Sequence, residues 1–448
     1  MNSKTIATPD HLALEPRPKE SQTALRFITC GSVDDGKSTL IGRLLLDSRA
    51  VHRDQLDALT AHGAGTVDLA RLTDGLAAER EQGITIDVAW RYFSTPQRSF
   101  IIGDSPGHEQ YTRNMVTAAS NADAAVLLID ATKLDWERPG LELLPQTRRH
   151  ALLCGLLRVP HCVYAINKLD AVSDPARAHA AIAHAIQRFT EAAGLRADAV
   201  LPISAREGWN VVTPAPQSRW CGHCGPTLLQ WLERAEPSAR ERPAATAFAV
   251  QWVEPFAHSA ATDRGRRVLW GRLAEGVVRV GQRLAVFPGG EPVHVVEVLS
   301  PTREPLAQSH STTAGVVLDR EVDISRGDWL LAAAPSAEAA PPAWAPVHEC
   351  RATLAWMDTE PLQPGRSYWA LHGHRWVKAR VRQLHHRLDI RSLQPEAADT
   401  LAANALGEVT LQFQQPLPLA PYARSRSLGA LILVDTARHS TAAAALVC

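Results

Sequence analysis

The chain has 448 residues, and its 47 lysine and arginine residues balance its 47 aspartate and glutamate residues. The length predicts roughly two or three domains, and the balanced charge argues against nucleic acid as a partner, because nucleic-acid-binding proteins usually carry a basic excess. No apolar stretch is long enough to span a bilayer, the N-terminus lacks an export signal, and the seven scattered cysteines are typical of reduced thiols, so we expect no membrane partner and a cytoplasmic location.

Residues 1–23 are polar and contain several prolines, which predicts a flexible tail. The apolar run at 25–30 predicts a buried strand, and residues 31–38, GSVDDGKS, then match the phosphate-binding pattern G-x-x-x-x-G-K-[ST] ahead of a predicted helix. Glycines let the backbone approach a phosphate, and N–H groups at a helix N-terminus point at the anion. We expect Lys37 to reach the β- and γ-phosphates and the Ser38 hydroxyl to bind magnesium; the alternative is a glycine turn that binds nothing. The predicted phosphate loop consists of Gly31, Ser32, Val33, Asp34, Asp35, Gly36, Lys37, Ser38 and Thr39.

Residues 79–86, EREQGITI, suggest a switch segment. Thr85 would bind magnesium and the γ-phosphate while the triphosphate is intact, and would release both after hydrolysis. The alternative is a charged helix end followed by a strand. Val33 and Ile84 together could form an apolar gate beside the reacting phosphate.

A predicted strand at 100–103 leads into the sequence Asp104, Ser105, Pro106, Gly107 and His108. We expect Asp104 to hold magnesium through water and the Gly107 N–H to contact the γ-phosphate. A single histidine is more often a surface or packed residue, but this one directly follows D-x-P-G, so we expect His108 to orient the attacking water. The predicted catalytic residues are Lys37, Thr85, Gly107 and His108, and the predicted metal ligands are Ser38, Thr85 and Asp104.

The base is predicted from the sequence N-K-x-D at 167–170. The Asp170 carboxylate can accept from guanine N1–H and from the 2-amino group, which adenine lacks, so this site selects GTP over ATP. The Lys168 stem would lie along the base, and Asn167 would brace neighbouring loops. Ser204 and Ala205 fit the last guanine loop, where a backbone N–H meets guanine O6.

Short apolar runs alternate with helical patterns through the first half of the chain, which predicts a mostly parallel sheet with helices on both faces. Such a sheet binds nucleotide at the carboxyl ends of its strands, where these motifs lie. We therefore expect a GTP-binding domain over 24–240. Its strands are predicted at 25–30, 100–103, 124–129, 162–166 and 200–203, and its helices at 110–120, 147–157, 176–194 and 227–236.

After residue 241 the pattern changes to short alternating strands with glycine turns, which predicts closed antiparallel barrels. We expect one barrel over 241–334, an Ala/Pro-rich linker over 335–347 and a second barrel over 348–448. In the second barrel, the alternation predicts Val409, Leu411 and Phe413 facing the core and Thr410 and Gln412 facing outward. The predicted fold is an α/β P-loop GTPase domain followed by two antiparallel β-barrel domains.

Cys221 and Cys224 form a C-x-x-C pair with His223 between them. Such a pair can bind metal or cycle between thiol and disulfide. A structural zinc site normally needs four ligands and no second pair stands nearby, so we expect ordinary loop residues here.

The order GSVDDGKST, EREQGITID, DSPGHEQYTRNM, NKLD and SA resembles the translation-factor class of GTPases, to which elongation factor Tu belongs. Within that class, Asp35 stands where elongation factors carry a histidine. Asp35 and several further segments look like the large, GTP-binding subunit of bacterial sulfate adenylyltransferase. Those segments are DGL at 74–76, QTRRH at 146–150, DISRGD at 323–328, WMDTEPL at 356–362 and PYARSRSLGA at 421–430.

This resemblance implies a heterodimer or higher assembly with a smaller subunit that carries the ATP and sulfate site. The complex would make adenosine 5′-phosphosulfate and pyrophosphate from ATP and sulfate, driven by GTP hydrolysis on this chain with Mg²⁺ as cofactor. One alternative is a translation elongation factor that delivers aminoacyl-tRNA, and another is a GTP-switched scaffold without energetic coupling. The chain departs from the family pattern at Ser105, in extra sequence between Lys133 and Gln146, and at 259–266, but none of these changes removes a predicted nucleotide contact.

Overall fold

The computed structural model describes residues 24–50, 69, 88–107, 112–216, 220–236, 245–255, 267–310, 313–332 and 344–448. Among these residues, no helix is both long and apolar enough to cross a membrane. The first part of the chain forms a six-stranded sheet. Its strands are β1 (Leu25–Cys30), β2 (Ala89–Ser94), β3 (Ser99–Asp104), β4 (Ala124–Asp130), β5 (His161–Asn167) and β6 (Ala199–Pro202). They lie in the order β2-β3-β1-β4-β5-β6, all parallel except β2, which pairs antiparallel with β3 at one edge.

Helices connect these strands, and their ends follow local sequence signals. The Asp174 side chain accepts from the Arg177 N–H at the start of the longest helix, and Gly194 ends that helix with φ 63°. Thr227 and Gln230 form a capping box at the start of the last helix. The helices are α1 (Lys37–Asp47), α2 (Thr112–Ala119), α3 (Pro145–Leu156), α4 (Pro175–Ala193) and α5 (Leu228–Arg234).

Both faces of the sheet are buried. Alternate residues of β4 enter two different apolar clusters, with Leu127 and Ile129 facing α3 and α4 and Val126 and Leu128 facing α1 and α5. This continuous apolar character is typical of a parallel strand covered on both sides. The predicted α/β architecture is confirmed.

Counting only described residues, nine strands follow in the next part of the chain, and six of them close a barrel. The ring order is β10-β15-β7-β8-β14-β11, closed by pairing of β11 with β10. The strands are β7 (Ala247–Pro255), β8 (Arg267–Glu275), β9 (Val278–Arg279), β10 (Arg283–Phe287), β11 (Pro292–Leu299), β12 (Pro305–Leu306), β13 (Gln308–Ser309), β14 (Thr313–Leu318) and β15 (Trp329–Ala332).

The last part forms a second six-stranded barrel in the order β17-β21-β22-β16-β20-β18, closed by β17 and β18. Val409, Leu411 and Phe413 lie in its core, as predicted. Thr410 was expected to face outward and is only 8% exposed, since the His385 ring of the neighbouring strand covers its hydroxyl. The strands are β16 (Ala345–Trp356), β17 (Ser367–His372), β18 (Arg375–Leu388), β19 (Pro395–Glu396), β20 (Leu406–Leu419), β21 (Ala430–Asp435) and β22 (Thr441–Val447).

The two barrels meet at the turn that carries the sequence DISRGD. Asp328 forms an ion pair with Arg375 of β18 at 2.8 Å. Gly327 has φ 99°, and a Cβ there would lie 2.8 Å from the His374 carbonyl oxygen. The turn therefore packs directly on the second barrel.

The predicted domain limits fall largely outside the described residues. Residues 241–243 and 333–343 are not among them, and neither are the tail at 1–23 and the basic segment at 259–266. The limits at 240 and 334 therefore stay predictions, whereas position 347 is described and lies inside β16, which begins at Ala345.

Candidate nucleotide-binding site

The predicted nucleotide motifs that the structure describes converge at the carboxyl edge of the sheet. β1 pairs with β3 so that Thr29 lies beside Asp104, and β4 pairs with β5 so that Asp130 lies beside Asn167. The phosphate loop leaves β1 between these two pairs. Parallel strands all present their carboxyl ends at one edge, so motifs far apart in the sequence form one site.

At two positions of the site, Gly36 and Gly107, neighbouring atoms lie too close to leave room for a side chain. Gly36 precedes α1 with φ 94°, and a Cβ there would lie 2.4 Å from Asn167 Nδ2. A Cβ on Gly107 would lie 2.4 Å from Lys37 Nζ and 2.7 Å from the Gly31 carbonyl oxygen. The loop after β3 therefore lies directly against the phosphate loop, next to its lysine.

Lys37 is directed across the phosphate loop. Its Nζ donates to the carbonyls of Gly31 at 3.0 Å and Ser32 at 2.8 Å. Burial lowers the pKa of Lys37, while the nearby charges of Asp104 and Asp35 act in the opposite direction. A partly desolvated cation in a loop of backbone amides suits a phosphate anion.

Asp35 supports the loop from within instead of facing its surface. Its carboxylate accepts from the Ser32 N–H at 2.6 Å and from Lys133 Nζ at 2.8 Å, and the residue is 1% exposed. Lys133 also donates to the Val33 carbonyl at 2.5 Å. The contribution of Lys133 was not predicted, since only its position just after β4 in the sequence would have pointed to it.

The predicted guanine motif is bound to the phosphate loop. Asn167 donates from Nδ2 to the Asp35 carbonyl at 2.8 Å and accepts at Oδ1 from the Ala205 N–H at 3.0 Å. Lys168 Nζ donates to the Asp34 carbonyl at 2.6 Å and to Asp130 at 2.7 Å. The side chains of Asn167 and Lys168 therefore connect the loop after β5 to the phosphate loop, and Asn167 also connects it to the loop at Ala205.

Of the groups predicted to meet the guanine base, the Asp170 side chain is exposed, whereas the Ser204 and Ala205 N–H groups already donate hydrogen bonds within the protein. Asp170 lies in a short 3₁₀ turn after β5 and is exposed. Its carboxylate therefore faces solvent, where a base could reach it. The Ser204 N–H donates to the Trp209 carbonyl, and the Ala205 N–H donates to Asn167.

The predicted metal ligands are only partly described. Asp104 is 3% exposed at the end of β3 and accepts from the Thr29 hydroxyl at 3.4 Å, and Ser38 lies in the first turn of α1. A carboxylate and a hydroxyl beside a phosphate loop are the hard oxygen donors that Mg²⁺ takes, so these residues fit that ion. The Ser105 hydroxyl donates to the Thr29 carbonyl, and Pro106 is buried. Thr85, Ile84 and His108 lie outside the described residues.

Two family models match the chain. The Elongation factor Tu GTP binding domain matches residues 22–238, and the GTP-eEF1A C-terminal domain-like family matches residues 349–448. A protein named "Sulfate adenylyltransferase subunit 1" from Laribacter hongkongensis is 40% identical over 434 residues, which cover 96% of this chain and 86% of the relative. A protein of the same name from Citrobacter koseri is 42% identical over 437 residues, covering 96% of this chain and 87% of the relative.

The chain belongs to the sulfate adenylyltransferase subunit 1 family. A "Bifunctional enzyme CysN/CysC" from Xylella fastidiosa is also 42% identical over 438 residues. That match covers 96% of this chain but only 66% of the length of the relative. The resemblance found in the sequence is confirmed, and the domain that matches elongation factor Tu makes GTP the expected nucleotide.

The segment QTRRH at 146–150 contacts the candidate nucleotide-binding site. The sequence had assigned it no role there. Gln146, the second residue of α3, donates from Nε2 to the Gly107 carbonyl at 3.3 Å and lies 2.9 Å from His150 Nε2. Arg149 donates to Gln146 Oε1 at 2.8 Å. Burial lowers the pKa of His150 to about 3, so this ring is neutral at ordinary pH. The sequence QTRRH thus links α3 to the loop after β3.

The C-x-x-C pair lies in and just after a short 3₁₀ turn, Trp220–Gly222, ahead of α5. Cys221 is buried and Cys224 is exposed, and no group of three or more potential ligands is assembled among the described residues. His223 lies 3.2 Å from the Pro226 carbonyl, which fits a local loop contact.

Proposed function

We propose that this chain is the GTPase subunit of a sulfate adenylyltransferase. A smaller ATP-binding subunit would join ATP and sulfate, and GTP hydrolysis on this chain would drive that reaction. The observation that best supports the proposal is family membership over nearly the whole chain, combined with an intact phosphate and guanine framework. The partner, the coupling and the cytoplasmic location remain proposals.

The driven reaction needs an energy source. A sulfate oxygen attacks the α-phosphorus of ATP, the bond to pyrophosphate breaks, and adenosine 5′-phosphosulfate and pyrophosphate form. The free energy change for forming the mixed phosphate–sulfate anhydride is unfavourable. Hydrolysis of GTP by water to GDP and phosphate is downhill, and coupling the two would draw the first reaction forward.

The site residues have distinct proposed roles in hydrolysis. Lys37 and the Gly107 N–H would bind the γ-phosphate, and His108 would orient the attacking water. Ser38, Thr85 and Asp104 would hold Mg²⁺, which supplies charge neutralisation on the phosphates when bound. Guanine would be bound by Asp170, the Lys168 stem and the loop at Ser204 and Ala205, with Asn167 bracing the loops. Val33 and Ile84 would form the apolar gate.

The route from nucleotide to the rest of the molecule is proposed to run through α3. Gln146 at its start contacts the Gly107 carbonyl, and its far end contacts the second barrel, where Tyr422 donates to the Leu157 carbonyl. A change in the loop after β3, which carries Gly107, would therefore shift the position of α3. The surface that the chain presents to a partner subunit would shift with it.

The decisive experiment combines this chain with the smaller ATP-binding subunit, ATP, sulfate and Mg²⁺, and measures phosphosulfate formation. We expect product to accumulate with GTP and far less with GDP or a non-hydrolysable GTP analogue. The matched control uses chain carrying Asp170→Asn, with which xanthosine triphosphate should replace GTP as the driving nucleotide. Phosphosulfate formation that ignores the guanine nucleotide would overturn the coupling. Hydrolysis that responds to ribosomes instead would favour the elongation-factor alternative.

A further inference from the structure

A cleft of about 550 Å³ lies between the start of α3 and the end of β18, away from the phosphate loop. Four arginines line it, two from the GTP-binding domain (Arg148 and Arg149) and two from the second barrel (Arg387 and Arg391), against the two acids Glu142 and Asp389. The rest of the lining is mainly apolar, with Asn404 as a further polar group. The volume is that of a small-molecule site, and the charge is positive.

Arg148 is paired with Glu142 and Arg387 with Glu396 at 2.7 Å, and the four guanidinium groups still outnumber the acids Glu142, Asp389 and Glu396. Arg148 stacks on the Phe189 ring at 5.2 Å and donates to the Arg391 carbonyl at 2.5 Å. It also lies 3.6 Å from Glu142, which offsets that acid. Within the described ranges, the exposed Arg391 guanidinium has no ion-pair partner.

Arg391 projects from a rigid turn. Asp389 accepts from the N–H groups of Ser392 at 2.8 Å and Arg391 at 3.1 Å. Hydrogen bonds from Ser392 and from the Arg391 backbone lower the pKa of Asp389 to about 2, so its carboxylate stays ionised and keeps the turn closed. The turn thus fixes the backbone position from which the exposed Arg391 side chain lines the cleft.

We propose that this cleft binds a small anion that carries phosphate or sulfate-ester groups. Guanidinium groups bind such groups in a forked, charge-assisted manner, and α3 begins at the cleft with Pro145, which places the positive end of a 12-residue helix there. Because the arginines come from two domains, the ligand would join α3 to the second barrel. The identification of the ligand as pyrophosphate or adenosine 5′-phosphosulfate rests on the proposed function, whereas the anion site itself does not.

The cleft is connected to the loop after β3 through the side chains of Arg149 and Gln146. Arg149 in the cleft donates to Gln146, and Gln146 donates to the Gly107 carbonyl. An anion that draws Arg149 away would release Gln146. Binding at the cleft and binding of GTP would therefore alter each other by the same factor.

Isothermal titration calorimetry tests the proposal on the full chain saturated with GDP, so that the phosphate loop is already occupied. Pyrophosphate and adenosine 5′-phosphosulfate are titrated separately, which distinguishes an inorganic from a nucleotide source. We expect one equivalent to bind, and the affinity to fall at least about tenfold in the double variant Arg387→Ala/Arg391→Ala.

Arg382→Ala is the matched control. Arg382 lies on the same strand as Arg387, pairs with Glu349 at 2.7 Å as Arg387 pairs with Glu396 at 2.7 Å, and lies outside the cleft. The affinity of the Arg382→Ala variant for each anion should equal that of the unaltered chain. Failure of both anions to bind, or equal losses in the control and the double variant, would overturn the site. Binding with no phosphosulfate synthesis in the reconstituted complex would leave the site intact and remove only the proposed function.

Discussion

Two lysines, Lys133 and Lys168, donate to backbone carbonyls on the outside of the phosphate loop, and each also pairs with a buried aspartate. Asp35 and Asp130, their partners, are 1% and 2% exposed. A buried carboxylate without its partner is strongly destabilising. The conformation of the loop therefore depends on charges that lie behind it, as well as on its glycines.

Replacing Lys133 with methionine tests this dependence. We expect GTP affinity to fall about tenfold and the melting temperature to drop, because Asp35 is left as an unpaired buried charge. Adding Asp35→Asn should restore most of both losses, since the neutral amide still accepts from the Ser32 N–H. Lys378→Met is the control, at an exposed lysine of the second barrel that lies over the Trp369 ring. Equal GTP affinity in Lys133→Met and the unaltered chain would contradict the supporting role.

Asp170→Asn tests the base assignment. The amide cannot accept both guanine hydrogens, so GTP affinity should fall about 100-fold while affinity for xanthosine triphosphate rises. Fluorescent nucleotide competition measures both. Asp174→Asn, four residues on, is the control, because asparagine caps α4 as well as aspartate does. Unchanged preference between the two nucleotides in Asp170→Asn would refute the assignment.

At the residue scale, the sequence pointed to Lys37 and Asn167 in the proposed nucleotide site, but not to the groups that support this site from behind. Lys37 and Asn167 follow fixed patterns whose chemistry is known. Lys133 and Gln146 act through tertiary contacts across 39 residues or more in the chain, as in the bond from Gln146 to Gly107. No local pattern encodes such a contact.

At the scale of elements, α3 is held at both ends. Gln146 bonds to the loop after β3 at its start. At its end, the Leu157 carbonyl accepts from the Tyr422 hydroxyl and from Arg426, both at 2.9 Å. Tyr422 and Arg426 belong to the sequence PYARSRSLGA, which matched the family beyond the GTP-binding domain. That segment therefore builds the contact between the second barrel and α3.

A double-mutant cycle on Tyr422→Phe and Arg426→Met measures that contact. Each single change leaves the Leu157 carbonyl one donor. Tyr422→Phe should lower the free energy of unfolding by about 1 kcal/mol, and Arg426→Met by more, because Arg426 also donates to the Arg158 carbonyl. The double variant leaves a buried carbonyl without either donor, so its loss should exceed the sum of the two. Urea denaturation gives the values, and Tyr92→Phe, at a tyrosine that is 69% exposed, is the control. Strict additivity would show that the two donors act independently.

The elements themselves were predicted unevenly from sequence. β1 has the predicted bounds of 25–30, because a compact apolar run marks it. β22 was missed, since its sequence TAAAALV is almost entirely buried and alanine-rich, with neither alternation nor β-branched residues apart from its ends. β2, the antiparallel edge strand, was also missed. Barrel closure supplies the burial that makes β22 a strand.

At the scale of the whole molecule, the barrels share an aromatic contact. Trp329 of the first barrel stacks on His372 of the second at 5.1 Å and an interplanar angle of 18°. His372 is fully buried, with Nδ1 3.1 Å from the Ala430 carbonyl and Nε2 3.2 Å from the Pro418 carbonyl. Burial lowers the pKa of His372 to about 4, although the two carbonyls act in the opposite direction.

The contact between the barrels should therefore weaken in acid. Between pH 6.5 and about 4 the unfolded chain binds a proton at His372 that the folded chain does not, so the free energy of unfolding falls as the pH is lowered, by up to about 3 kcal/mol. Thermal melts across this range should show a shallower decline for His372→Gln, which has no group to titrate, than for the unaltered chain. His348→Gln, at an exposed histidine of β16, should follow the unaltered chain. Parallel curves for His372→Gln and the unaltered chain would mean that the ring is already protonated in the fold, with both carbonyls accepting from it.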